Sequence, residues 1–249
     1  MTSWLRTLGR VAMTVALCAA LTAGATAKDG SKFGPSNAEV LDNFLKIALL
    51  PIDPELPQIR KFTAPVRFNV LSNGRWPRQM VLRAFELLGF LTGHDIAVAT
   101  ESFNVVLIFT DDIAGDMLDR YRDYAKPFFR DADSLEKTIG GFAGGACYSL
   151  PRFGAETLEA ALIVVSTQID DARSYSCFNR ALARSFGLLN FTSDMPYSLL
   201  SDPQQWADLT AQDHLFLRIL YDRRIASGMR LSEAYSAAKE ILEDLRPGK

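Results

Sequence analysis

The stretch Ala160-Ala161-Leu162-Ile163-Val164-Val165-Ser166 decides the fold, together with the segment that ends Arg180-Ala181-Leu182-Ala183-Arg184-Ser185-Phe186-Gly187-Leu188. The first is an aliphatic, β-branched run of strand length and the strongest strand signal in the chain. The second closes a helix from about Asp171 to Phe186, with Gly187 placed as its cap.

Working outward, Cys147 to Leu150 reads as a short edge strand, and Val105 to Phe109 and Ile96 to Ala99 as two more. Val66-Arg-Phe-Asn-Val-Leu71 alternates and predicts another strand, ended by the turn Ser72-Asn73-Gly74. Between them, Pro77 suits the first position of a helix. Val81, Leu82, Phe85, Leu88 and Leu91 fill one face of it, up to Gly93. Ile113 to about Phe129 is charged and helix-prone, and Gly140 to Gly145 reads as a glycine-rich loop. At the front, Ser36 and Glu39 make a capping box for a helix that stops before Pro51. The four prolines from Pro51 to Pro65 then mark an extended connector. At the back, Thr210 and Asp213 open a helix through Arg223 to Gly228, and Ser232 opens a last one to about Leu245. From Val66 onward the order is strand, helix, strand, strand, edge strand, strand, helix, then helices only. That is an α+β fold: a small mixed β-sheet backed by helices and followed by an all-helical C-terminal part. Regular βαβ alternation, the mark of a doubly wound sheet, is missing.

The first 27 residues read as an export signal. Arg6 and Arg10 form a positive start, an apolar run of about 15 residues follows, and Ala25-Thr26-Ala27 predicts cleavage after Ala27. The run is short for a membrane span of about 20 residues, although an uncleaved anchor helix or a lipoprotein built on Cys18 stays an alternative. The expected organisation is therefore a signal peptide (1–27), a leader, helix and proline-rich connector (28–61), and one domain (62–249). Cleavage leaves 222 residues with a net charge of −4, so the mature chain is expected in the periplasm or secreted, without stable membrane insertion. A mildly acidic chain lacking a basic cluster is a poor nucleic-acid binder. Cleavage also removes Cys18. Cys147 and Cys177, left in an oxidising compartment, most simply make one disulfide, with a nucleophilic cysteine as the alternative.

The order of elements resembles the upper subdomain of zincin metallopeptidases, whose helix after the last strand carries His-Glu-x-x-His. Matching the glycines aligns Arg180 to Leu188 with His-Glu-Leu-x-His-x-Leu-Gly-Leu. Arg180 then holds the first histidine position, Ala181 the glutamate, Arg184 the second histidine and Asn190 the third ligand. Residues Phe62 to Leu245 further resemble an uncharacterised family of exported proteobacterial proteins, domain of unknown function 2927. The matching features are Pro65-Val66-Arg67, Leu162-Ile-Val-Val165, and Cys177 ahead of Ser185-Phe-Gly-Leu188, with Leu209-Thr-x-x-Asp213 and Leu220-Tyr-Asp-x-Arg-x-x-x-Gly228-Met downstream. The resemblance implies a zincin-like fold and carries no activity with it.

Zinc hydrolysis needs two imidazoles one helical turn apart and a carboxylate beside the first to take a proton from bound water. Arginine has no lone pair to donate and alanine no base, so this helix cannot perform it. The two histidines, His94 and His214, lie 120 residues apart and each has a plain explanation at a helix end, so no metal or cofactor is implied. No serine sits in a nucleophile turn, and the glycine loop lacks the lysine of a phosphate cradle. Asp111, Asp112, Asp116 and Asp119, and Asp170 with Asp171, hold the spacing of acid pairs for glycoside chemistry or calcium. They also fall at strand-to-helix junctions, where acids cap helices. Arg180 and Arg184 share a face with Cys177 one turn earlier. That face either presents two forked cations to a groove or pairs with acids on a solvated surface. Three readings follow: a non-catalytic zincin-like envelope protein binding a peptide or protein partner, a hydrolase with a carboxylate-based or unrecognised site, and a purely structural assembly factor.

Overall fold

The structure is a computed structural model that describes residues 35–50, 57–74, 77–129, 131–140, 147–168 and 171–248. The expected export signal, its cleavage site and Cys18 lie outside the described residues.

Helix α1 (Asn37–Ala48) opens on the expected capping box: the Ser36 hydroxyl accepts from the Glu39 amide, and the Glu39 carboxylate accepts from the Ser36 amide at 2.7 Å. The connector after it is not a plain linker. Strand β1 (Leu49–Leu50) pairs antiparallel with β2 (Gln58–Ile59), and Ile59, Arg60, Lys61 and Phe62 then run into the core, none more than 8% exposed. Prolines earlier in the segment do not prevent this, because the two cations find carbonyls. Arg60 Nη1 donates to Gly154 and Ala155, and Lys61 Nζ to Leu220 at 2.8 Å.

The sheet holds β3 (Val66–Ser72), β4 (Ile96–Val98), β5 (Val105–Thr110), β6 (Cys147–Phe153) and β7 (Leu158–Ser166) in the order β4-β3-β5-β7-β6. All neighbours are parallel except the edge strand β6, which runs antiparallel to β7. The mixed sheet is thus as expected, and the physical reason for its apolar centre is visible. Leu107, Phe109, Ile163 and Val165 enter one core with helices on that face, while Val106, Ile108, Leu162 and Val164 enter a second core on the other. A strand covered on both faces reads as a continuous apolar run.

The first core is closed by α1, α2 (Arg78–Thr92), α6 (Asp171–Ser185), α7 (Ala211–Tyr221) and α8 (Leu231–Leu245). The second lies under α3 (Ile113–Leu118), α4 (Arg122–Ala125), a 3-10 turn (Lys126–Phe128) and α5 (Ala132–Gly140). Here the expectation of one helical stretch from Ile113 to Phe129 is corrected. The chain breaks at Asp119, where the Tyr121 amide reaches back to Asp116, and Pro127 forces the 3-10 turn. Helix α5 was not anticipated, and it takes Gly140 out of the expected glycine loop, whose residues 141–146 are outside the described set. Helix α7 stops at Tyr221 rather than running to Gly228. Helix α8 begins at Leu231, with the Arg230 amide donating to Glu233, instead of being opened by Ser232.

Candidate functional site

Helix α6 lies against β6 and β7 because Phe178, Ala181, Leu182, Ala183 and Phe186 all enter the core. Its end reverses at Gly187, at φ +103°, where the amides of Gly187 and Leu188 bond back to Arg184 and Ala183. A side chain at Gly187 would strike the Arg60 carbonyl oxygen, so glycine is required both for the left-handed turn and for the close approach.

The returning chain decides what the expected site residues do. Asn190, which the sequence comparison set at a third ligand position, is a clasp: its side-chain amide donates to Lys46 at 3.1 Å and Leu49 at 2.8 Å, joining its own amide on Ile47 at the C-terminal end of α1. Phe191, next in line, lies over both guanidinium groups. The Arg180 carbon is 3.7 Å and the Arg184 carbon 4.8 Å from its ring centre. Arg180 Nη1 also donates to the Gln204 side-chain oxygen at 3.4 Å, and Arg184 Nε to the Leu189 carbonyl at 3.1 Å. Ala181 is buried and offers packing alone.

Among the described residues neither arginine forms an ion pair, so the alternative of two surface pairs with acids is not what the structure has. Burial pushes both guanidinium pKa values down. For Arg180 the neighbouring Arg184 acts in the same direction, while Asp202 opposes it. Both groups remain charged, since arginine starts far above neutrality. Arg180 Nε is buried with no partner. The helix therefore holds two half-buried cations and an alanine where a zinc site needs lone pairs and a base.

One turn earlier, Cys177 is bonded to Cys147, the first residue of β6, with their Cα atoms 5.9 Å apart. A second link runs between the buried Ser149 and Ser185 hydroxyls at 2.8 Å. The sheet edge and the arginine helix are thus fastened together twice.

The remaining candidates stay apart. His94 Nε2 lies 2.6 Å from the Ala64 carbonyl, with its ring edge-on to Tyr221. His214 sits in the first turn of α7, where burial lowers its pKa against the opposing pull of Asp213. Among the described residues no group of three or more potential ligands is placed to hold a metal. Asp112 caps α3 through the Gly115 amide at 2.9 Å, and the Asn73 side chain donates to Asp111 at 2.5 Å and Asp116 at 2.8 Å. The Asp119 amide bonds Gly115, and the Asp170 and Asp171 side chains are outside the described set.

A cleft of about 840 Å³ opens between α2 and the first half of α6, lined by Met80, Arg83, Tyr175, Asn179, Asp208 and His214 among others. Its polar group was not singled out from sequence. Asp208 accepts from Asn179 at 3.4 Å, and its hydrogen bond with Tyr175 raises that hydroxyl's pKa. Tyr175 and Asn179 are four residues apart on one face, which is the signal that would have found them. Arg184, nine residues beyond Tyr175 at about 100° each, points to the opposite side of α6.

No curated protein and no solved structure matches the chain significantly. The family model described as "Protein of unknown function (DUF2927)" matches residues 37–240, from the start of α1 into α8, and the chain belongs to that family.

Proposed function

We propose that the chain is an exported, non-catalytic, zincin-like protein of the cell envelope that binds a peptide or protein partner over the arginine face of α6. The observation carrying this reading is the pair Arg180 and Arg184, half-buried, forming no ion pair among the described residues, on the helix that follows the last strand. The antiparallel edge strand fastened to that helix supports the zincin-like comparison, and the disulfide fits an oxidising compartment. No helix of the described residues is long and apolar enough to cross a membrane. The test is affinity capture from envelope extract with the parent chain and with the Arg180→Ala, Arg184→Ala double variant. Loss of the captured partner in the variant supports the reading. Equal capture removes the arginine face from it, and cleavage of the partner removes the non-catalytic part.

Phe191 favours a second reading, in which the chain's own side chains fill the groove and the protein is a structural assembly factor. On that reading Phe191→Ala lowers stability and leaves partner capture unchanged.

A further inference from the structure

We infer that Arg180, Arg184 and Phe191 form a subsite for a single carboxylate group. This rests on the proposed partner-binding reading and names the chemistry that would be recognised there.

The donor inventory comes first. Each guanidinium carries five N–H groups. Arg180 uses one, weakly, on the neutral Gln204 amide, and Arg184 uses its Nε on Leu189. The guanidinium carbons lie 3.7 and 4.8 Å from the Phe191 ring centre, and, the buried Arg180 Nε aside, the N–H groups that Gln204 and Leu189 do not take are the donors a ligand would meet. Two like charges held this close on one ring repel, and each has lost water. An anion bridging their free edges offsets both costs, which a neutral ligand does not.

The surroundings limit how much negative charge fits. Arg184 stands in the last turn of α6, where the helix dipole is negative, and Asp202 acts on Arg180. Phosphate sites draw on the opposite end of a helix. The field here thus accommodates about one negative charge, and a planar carboxylate matches the guanidinium fork in two parallel hydrogen bonds. A peptide's C-terminus and an aspartate or glutamate side chain both supply that group.

The experiment follows the Arg Nε–H resonances of Arg180 and Arg184 in the purified chain by NMR. Sodium acetate is titrated against sodium chloride at matched ionic strength, then inorganic phosphate. Three acetylated pentapeptide pools of neutral residues follow: free carboxyl terminus, amidated terminus, and amidated with one glutamate. A saturable acetate response absent with chloride is expected at both resonances. A free-carboxylate or glutamate pool should bind roughly tenfold tighter than acetate, with the plain amidated pool silent. Arg184→Lys keeps the charge without the fork and should weaken acetate by about tenfold. If that variant does not fold, the acetate-against-chloride comparison on the parent chain decides alone. No saturable acetate response overturns the subsite, as does phosphate saturating below acetate. Equal binding of all three pools leaves partner binding standing and overturns the carboxylate. An acetate response with no pool binding supports the subsite and counts against a peptide partner.

Discussion

Lys61→Met tests whether the connector enters the core as a charged group. Lys61 is 8% exposed, its Nζ donates to the Leu220 carbonyl at 2.8 Å and lies 3.5 Å from that of Asp222, at the C-terminal end of α7. Burial lowers its pKa from 10.5 to about 8, with the Asp222 charge opposing. The folded value lies below the unfolded one, so the unfolded chain binds more protons between about pH 8 and 10.5. Stability from this group must therefore rise with pH through that window and level off below it. The gap corresponds to about 3 kcal/mol. Methionine matches the length and carries no charge, but leaves the Leu220 carbonyl without its donor, at a cost of about 1–3 kcal/mol. At pH 7 the two effects nearly offset, and parent and variant should agree within about 2 kcal/mol. By pH 10.5 the parent should have gained about 3 kcal/mol on the variant. Urea unfolding of both chains at matched pH gives the difference, in which the other titrating groups cancel. A difference curve that stays flat or falls from pH 8 to 10.5 refutes a buried, charged Lys61.

Gly187→Ala should destabilise by at least about 3 kcal/mol, combining a left-handed backbone with a collision against the Arg60 carbonyl, and an unchanged melting temperature would contradict the path of the chain there. Replacing Cys147 and Cys177 by serine opens a loop with a sequence separation of 30, worth about 3–4 kcal/mol in guanidinium unfolding, and the native oxidised chain should show no free thiol from this pair. Asp213→Asn should cost about 1–3 kcal/mol in the same assay, because one oxygen of the buried carboxylate accepts from the Leu199 and Thr210 amides at 2.9 and 2.8 Å while the other accepts from the Ser198 hydroxyl, and an amide side chain gives up the charge and offers N–H donors in place of one oxygen.

What was legible in the sequence is what local chemistry controls. The capping boxes at Ser36 and Thr210 and the reversal at Gly187 each follow from residues within one turn of one another. The apolar runs of β5 and β7 announced strands because both of their faces are buried. What stayed hidden depends on distant partners. Arg60 and Lys61 are core residues only because carbonyls at 154, 155 and 220 receive them, and no nearby residue signals that. Helix α5 has a local signal after all, the reciprocal hydrogen bonds between Asp131 and Ser134, but its short length and flanking glycines conceal it. Phe191 shares a long loop with Tyr197 and Trp206 and has no periodicity to mark it out, and its place over two arginines follows the clasp that Asn190 makes with α1.

That clasp bears on the comparison of this helix with a zinc site. In the zinc helix that the proposed zincin-like reading compares it with, a doubly positive ion sits between two imidazoles, with a third ligand from the chain after the glycine. Arg180 and Arg184 restore two positive charges from the same two positions, and the residue after Asn190 still folds over them. What differs is the kind of positive charge. Zinc offers an open coordination position that polarises water or a carbonyl, whereas a guanidinium offers only N–H donors. Such a site can attract and orient a negative group, yet it cannot generate the hydroxide needed to attack a peptide bond. On that reading the exchange gives up zinc hydrolysis and keeps an electrostatic pull at this face of the helix, so placing histidine at one of the two positions alone should weaken anion binding without producing hydrolysis.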